Sequence, residues 1–134
     1  MKKPVKAIGF AVVLGIAWTV SQTLAASGAG SLQALDSDHD GTIDLNEIRA
    51  AAGAAFDRLD RDHDGTLSER ELKGRLSGRE LAAADGDHDG TLTKDEYTAA
   101  VEKRFKAANS DSDDTLDAGE LRSRPGKSLQ RLVK

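Results

Sequence analysis

Apolar residues follow three patterns along the chain. Ala7 to Val20 form one mainly apolar run of 14 residues, preceded by Lys2, Lys3 and Lys6. Farther on, Ile48, Ala52, Phe56 and Leu59 recur at i, i+4, i+8 and i+11, and Tyr97, Val101, Phe105 and Ala108 repeat that stripe 49 residues later. Each stripe predicts an amphipathic helix, over Leu45–Leu59 and over Lys94–Ala108. The third pattern is a set of lone aliphatic residues, Ile43, Leu67, Leu92 and Leu116, each inside a polar, acidic stretch. Between Glu71 and Asp85 the pattern predicts two short helices, the second restarted by a capping box of Ser77 with Glu80. After Glu120 it predicts a short helix ending before Pro125, then a final turn over Ser128–Val133.

The first apolar run is too short for a membrane span of about 20 residues. Its basic leader, and small side chains at Thr23 and Ala25, predict a secretory signal peptide over residues 1–25, cut after Ala25. Export to the periplasm is the expected route, with no membrane association after cleavage. Ser27, Gly28, Ala29 and Gly30 then predict a flexible lead-in to a single domain over residues 26–134.

Charge narrows the function further. The whole chain carries 19 basic and 23 acidic residues, and without residues 1–25 the balance is 16 to 23. A net charge of −7 has the wrong sign for neutralising phosphates, which excludes nucleic acid as a partner. There is no cysteine for a disulfide, a thiolate site or a catalytic thiol. Leu, Ile, Val and Phe number only 19 in residues 26–134. That inventory lies below the level of about 20% at which highly charged chains fold unaided. Another source of folding free energy is required.

Four gapless segments supply it: Asp36–Glu47, Asp60–Glu71, Asp85–Glu96 and Asn109–Glu120, starting 24, 25 and 24 residues apart. They hold 20 of the 23 acids, and the first three match the calcium-loop pattern of an EF-hand, D-x-[DN]-x-[DN]-G-x₅-E. A hard cation takes about six to eight oxygens from loop positions 1, 3, 5, 7, 9 and 12. Short Asp side chains let the backbone wrap the ion, Gly at position 6 makes the turn, and Glu at position 12 reaches in from the next helix. The fourth segment departs, with Asn109 at position 1 and Asp114 at position 6; a weaker loop is expected there. His39, His63 and His88 all occupy position 4, which points away from an ion. Only 12 or 13 residues separate each position-12 Glu from the next loop, so one helix must serve both neighbours across the first and third links. The fold expected is all-α, a compact helical bundle carrying four tandem loops on shared helices.

Export, short links and four loops together resemble the lanmodulin family, periplasmic lanthanide-binding proteins of methylotrophic bacteria. The resemblance extends to AAFDRLD (54–60), LKGRL (72–76), EYTAAVEKRFKAAN (96–109) and SRPGKSLQRLVK (123–134). It implies three strong loops and a weaker fourth, a three-helix bundle, and folding on binding rare-earth ions. It also implies a ligand set of Asp36, Asp38, Asp40, Thr42, Asp44 and Glu47 in the first loop. The second loop would use Asp60, Asp62, Asp64, Thr66 and Glu71, and the third Asp85, Asp87, Asp89, Thr91 and Glu96. The fourth would use Asn109, Asp111, Asp113, Thr115, Asp117 and Glu120. Two features depart from the family: position 2 holds Ser37, Arg61, Gly86 and Ser110 rather than proline, and position 9 is acidic only at Asp44 and Asp117.

The function expected is therefore lanthanide(III) binding with some Ca2+ binding, in a monomer or a weak metal-dependent dimer. A periplasmic calcium buffer or sensor, or a calcium-dependent interaction module, is the alternative. An enzyme is not expected, because only Asp57, Glu80 and Glu102 are acidic outside the loops and no nucleophile–base set can be assembled.

Overall fold

A computed structural model describes the backbone of residues 29–134 and the side chains from Leu32 onward. The expected signal peptide, residues 1–25, lies outside the described residues. Six helices and two short strands follow in the order α1 (Ala29–Leu35), α2 (Leu45–Leu59), β1 (Thr66–Ser68), α3 (Gly78–Ala84), β2 (Thr91–Thr93), α4 (Lys94–Ala108), α5 (Ala118–Arg122) and α6 (Arg124–Val133). Among the described residues no helix is long and apolar enough to cross a membrane.

The two long helices have the expected bounds, and each buries its stripe. In α2 the buried residues are Ile48, Ala52, Ala55, Phe56 and Leu59; in α4 they are Tyr97, Val101, Phe105 and Ala108. Capping boxes start both, Asp44 with Glu47 and Thr93 with Glu96, so the last loop residues are also the first helical turn. Two ion pairs fix the relative direction of the helices. Arg49 near the start of α2 meets Glu102 on the C-terminal half of α4, and Asp57 near the end of α2 meets Lys94 at the start of α4. The helices are antiparallel. Phe56 and Tyr97 meet edge to face between them, with ring centroids 6.0 Å apart.

The third helix of the bundle is α6, which packs on both α2 and α4 and buries Leu129, Leu132 and Val133. Its carbonyls are clasped from three sides. Arg104 donates to Ser128, Arg75 to Arg131, Arg58 to Val133, and the Tyr97 hydroxyl to Leu132. The last carbonyls of a helix have no partner within it, so Arg75, Tyr97 and Arg58 satisfy those of Arg131, Leu132 and Val133. A core of α2, α4 and α6 is the three-helix bundle that the resemblance implied, although the short strands make the fold not purely helical.

Three segments differ from expectation. The stretch after Glu71 forms turns rather than a first short helix. Leu72 and Leu76 are buried there, but Gly74 adopts φ +83° and breaks any helix before it can propagate. The second short helix is α3, with the Ser77–Glu80 capping box in place. At the C-terminus, α6 begins at Arg124 and not at Ser128, because Ser123 caps it and Pro125 falls in the first turn, where a missing N–H costs nothing. Ala29 and Gly30, expected in the flexible lead-in, belong to α1; Ser27 and Gly28 lie outside the described residues.

Candidate metal centre

Each of the four acidic segments brings carboxylates together. In the first three, the position-1 carboxylate is buried and accepts the N–H groups of positions 5 and 6. Asp36 accepts from Asp40 at 3.2 Å and Gly41 at 3.0 Å; Asp60 from Asp64 at 3.2 Å and Gly65 at 3.1 Å; Asp85 from Asp89 at 3.3 Å and Gly90 at 2.9 Å. Position 5 is held by the next Thr. Asp40, Asp64, Asp89 and Asp113 each accept both the N–H and the hydroxyl of Thr42, Thr66, Thr91 and Thr115 respectively. Those hydrogen bonds hold the carboxyls of Asp40 and Asp113 below the usual range.

Carboxylate oxygens converge in every loop. Those of Asp36, Asp38 and Asp40 lie within 4.8 Å of one another, as do those of Asp60, Asp62 and Glu71, of Asp85, Asp87 and Glu96, and of Asp111, Asp113 and Glu120. The first set does not include Glu47, which accepts from Ser37 and Asp44 as the other position-12 glutamates do from their own positions 2 and 9. The cost of such convergence is visible at Asp87, where loss of water and the neighbouring Asp85 push the carboxyl up. The opposite holds at Glu71 and Glu96. Donors from Ser68 and Thr93 keep both below the ordinary glutamate range, so they stay ionised.

The set is all hard oxygen with no thiolate or imidazole pointing in, which suits a hard cation of six to eight ligands. His39, His63 and His88 are exposed, at φ of about +60°, a left-handed conformation in which histidine is enriched. They serve the turn.

A family model for the EF hand matches residues 29–51, 53–77 and 78–101, together more than half of the chain. The chain belongs to the EF-hand family. Comparison with curated proteins finds no match. Each matched segment contains one of the first three loops, and EF-hand chemistry, the binding of metal ions by these loops, follows for the chain.

The fourth segment lies outside the matched residues. Asn109 accepts only from Ser112, at 2.6 Å, and Asp114 takes φ +73° where the three matched loops have Gly41, Gly65 and Gly90 at +84° to +90°. Its anchor between positions 1 and 6 is missing. Asp117 nevertheless caps α5, and Glu120 faces back into the loop to accept from Ser110. Asp44 plays the same part in α2, so both acidic position-9 residues are helix caps as well as candidate ligands.

Which EF-hand loops pair was not readable from the sequence. Leu67 faces Leu92 in an antiparallel β1–β2 ladder, joining the second and third loops. Ile43 and Leu116 form an isolated bridge that joins the first to the fourth. The antiparallel helices require this. A loop sits at each end of α2 and of α4, so the start of one helix meets the end of the other. The position-8 aliphatics, all four fully buried, are the contact points.

Proposed function

We propose that this EF-hand protein is an exported, periplasmic binder of hard metal ions that takes lanthanide(III) ions more tightly than Ca2+ and folds as it binds them. The observation that carries this reading is the inward convergence of acidic oxygens in four loops, on a chain with few large apolar residues. Ligands are assigned as in the family resemblance: positions 1, 3, 5, 7 and 12 of each loop, with Asp44 and Asp117 added at position 9. Lanthanide and calcium ions share a preference for hard oxygen. Raising the charge from +2 to +3 strengthens each ion–carboxylate attraction by about half, in proportion to the charge product. The first loop offers five carboxylates, Asp36, Asp38, Asp40, Asp44 and Glu47, and favours the trivalent ion most. The chain acts as an ion carrier or buffer, as a monomer or a weak metal-dependent dimer, rather than as an enzyme.

A calcium buffer is the second reading, favoured by Ser68 and Thr93, which place only neutral oxygens at position 9 of the second and third loops. Competitive titration of the mature chain with Ca2+ and Tb3+ separates the two. Displacement of bound Ca2+ by substoichiometric Tb3+ supports the lanthanide reading; preference for Ca2+ in direct competition overturns it.

A further inference from the structure

The position-12 glutamate receives three donors in every loop, but the source of one of them alternates. Two are constant: the N–H of position 2 and the N–H of position 9. The third is a hydroxyl. In the second and third loops it comes from position 9, where Ser68 Oγ lies 2.7 Å from Glu71 Oε2 and Thr93 Oγ1 lies 2.8 Å from Glu96 Oε2. Position 2 there is Arg61 or Gly86, which donate through the backbone alone, at 3.0 and 2.8 Å. In the first and fourth loops, position 9 is Asp44 or Asp117, and a carboxylate cannot donate. The hydroxyl comes instead from position 2, with Ser37 Oγ 2.9 Å from Glu47 Oε1 and Ser110 Oγ 2.9 Å from Glu120 Oε1. None of the four loops has a hydroxyl at both positions, and none lacks it.

We infer that Ser37 and Ser110 are positioning residues for Glu47 and Glu120, supplying the hydroxyl that a carboxylate at position 9 displaces. The inference rests on the proposed metal-binding function and adds to it a division of labour between two loop pairs. The first–fourth pair carries the extra carboxylate and needs a serine at position 2; the second–third pair carries neutral position-9 oxygens and needs none. A long glutamate side chain has many rotamers to lose when it closes on an ion. A fixed donor on one oxygen holds the carboxylate in front of the loop beforehand, so less order is imposed on binding. The donor also offsets the repulsion that a position-9 carboxylate adds beside the glutamate. Space for the exchange exists in the third loop. A Cβ placed on Gly86 would sit 3.4 Å from Glu96 Oε1, an ordinary contact, beside the oxygen that corresponds to the one Ser37 reaches in the first loop.

The test uses the full mature chain, titrated with Ca2+ and with La3+ and followed by the amide signals of Gly41, Gly65 and Gly90, one reporter for each of the first three loops. Ser37→Ala should weaken ion binding reported by Gly41 by roughly three- to tenfold, the effect of one typical solvent-exposed hydrogen bond. Gly65 and Gly90 should titrate as in the wild type, and Ser37→Thr should restore the loss. In the third loop, Thr93→Asp keeps a helix cap but removes the hydroxyl, and adding Gly86→Ser should raise La3+ affinity above that of Thr93→Asp alone. Unchanged binding at Gly41 in Ser37→Ala overturns the inference, as do equal losses at all three glycines or no gain from Gly86→Ser. A wild-type chain that binds neither ion overturns the metal-binding reading itself, an outcome distinct from a wild type that binds and a Ser37→Ala variant that matches it.

Discussion

Ile43 donates to the Leu116 carbonyl at 3.0 Å and accepts from the Leu116 N–H at 2.9 Å, so the first and last loops of the chain share one bridge. Through it, order in the fourth loop is tied to order in the first. The fourth loop is nevertheless the weaker partner. Asn109 removes a ligand charge, and Asp114 holds a left-handed backbone that costs a non-glycine residue about 1 kcal/mol or more.

It follows that the fourth loop fills last. Asn109→Asp with Asp114→Gly should raise the number of tight sites and strengthen binding in the first loop as well, because the two share the bridge. Calorimetric titration checks both; unchanged stoichiometry and affinity would refute the ranking.

Folding should be coupled to ion binding, each loop pair ordering as it fills. Without residues 1–25 the chain carries a net charge of −7, and 20 of its 23 acids are crowded into four loops that hold only three basic residues, Arg61, Arg70 and Lys94. The three acids outside the loops, Asp57, Glu80 and Glu102, each pair with a basic side chain and do nothing for that repulsion. Metal-stripped protein should show weak helical circular dichroism that rises steeply on adding La3+. A strong helical signal with a cooperative thermal transition in excess chelator would contradict this.

Much of this architecture was legible because loop spacing and helical stripes reinforce each other. The bounds of α2 and α4, the capping box at Ser77 and the lone aliphatics at position 8 all rest on local rules. What local rules miss is tertiary. The pairing of the first loop with the fourth depends on α2 and α4 running antiparallel, which no residue near Ile43 announces. The early start of α6 depends on Ser123 ending α5 and capping α6 together. Ser37 and Ser110 looked like missing prolines in the sequence; only the hydroxyl-to-glutamate distances give them a part.

Tyr97 makes the alkaline limit predictable. Its ring is fully buried, burial pushes its hydroxyl up to about 12, and that hydroxyl donates to Leu132 in α6. With a folded value above the unfolded value of about 10, this group's contribution is complete below pH 10 and is lost as pH rises toward 12. The ion-loaded protein should therefore lose stability over that window. Tyr97→Phe should cost about 1 kcal/mol at neutral pH and flatten the alkaline decline; an unchanged decline would assign it to other groups.

Gly126 permits α6 to lie across α5. A Cβ there would fall 2.2 Å from the Glu120 carbonyl oxygen and 2.6 Å from Leu121 Cα, both backbone atoms that cannot step aside. Gly126→Ala should destabilise the protein by about 1–3 kcal/mol, as overpacking does. It should also weaken the fourth loop selectively, since Glu120 is that loop's position-12 residue. Thermal melts of loaded protein, with the Asp114 amide as a site reporter, test the two effects separately.

Asp44 offers the sharpest test of ion choice. It caps α2 through the Glu47 N–H at 2.8 Å, and serine is an equally good cap, so Asp44→Ser leaves the helix start intact. What changes is the count of carboxylates in the first loop, from five to four, matching the second and third. Each carboxylate attracts a trivalent ion about half again as strongly as a divalent one, so the loss must fall harder on the lanthanide. Asp44→Ser should therefore lower La3+ affinity at the first loop by more than it lowers Ca2+ affinity, with the Gly65 and Gly90 signals unmoved. Equal losses for both ions would mean that the Asp44 carboxylate does not set ion choice, and the calcium buffer would then be the better account of the chain.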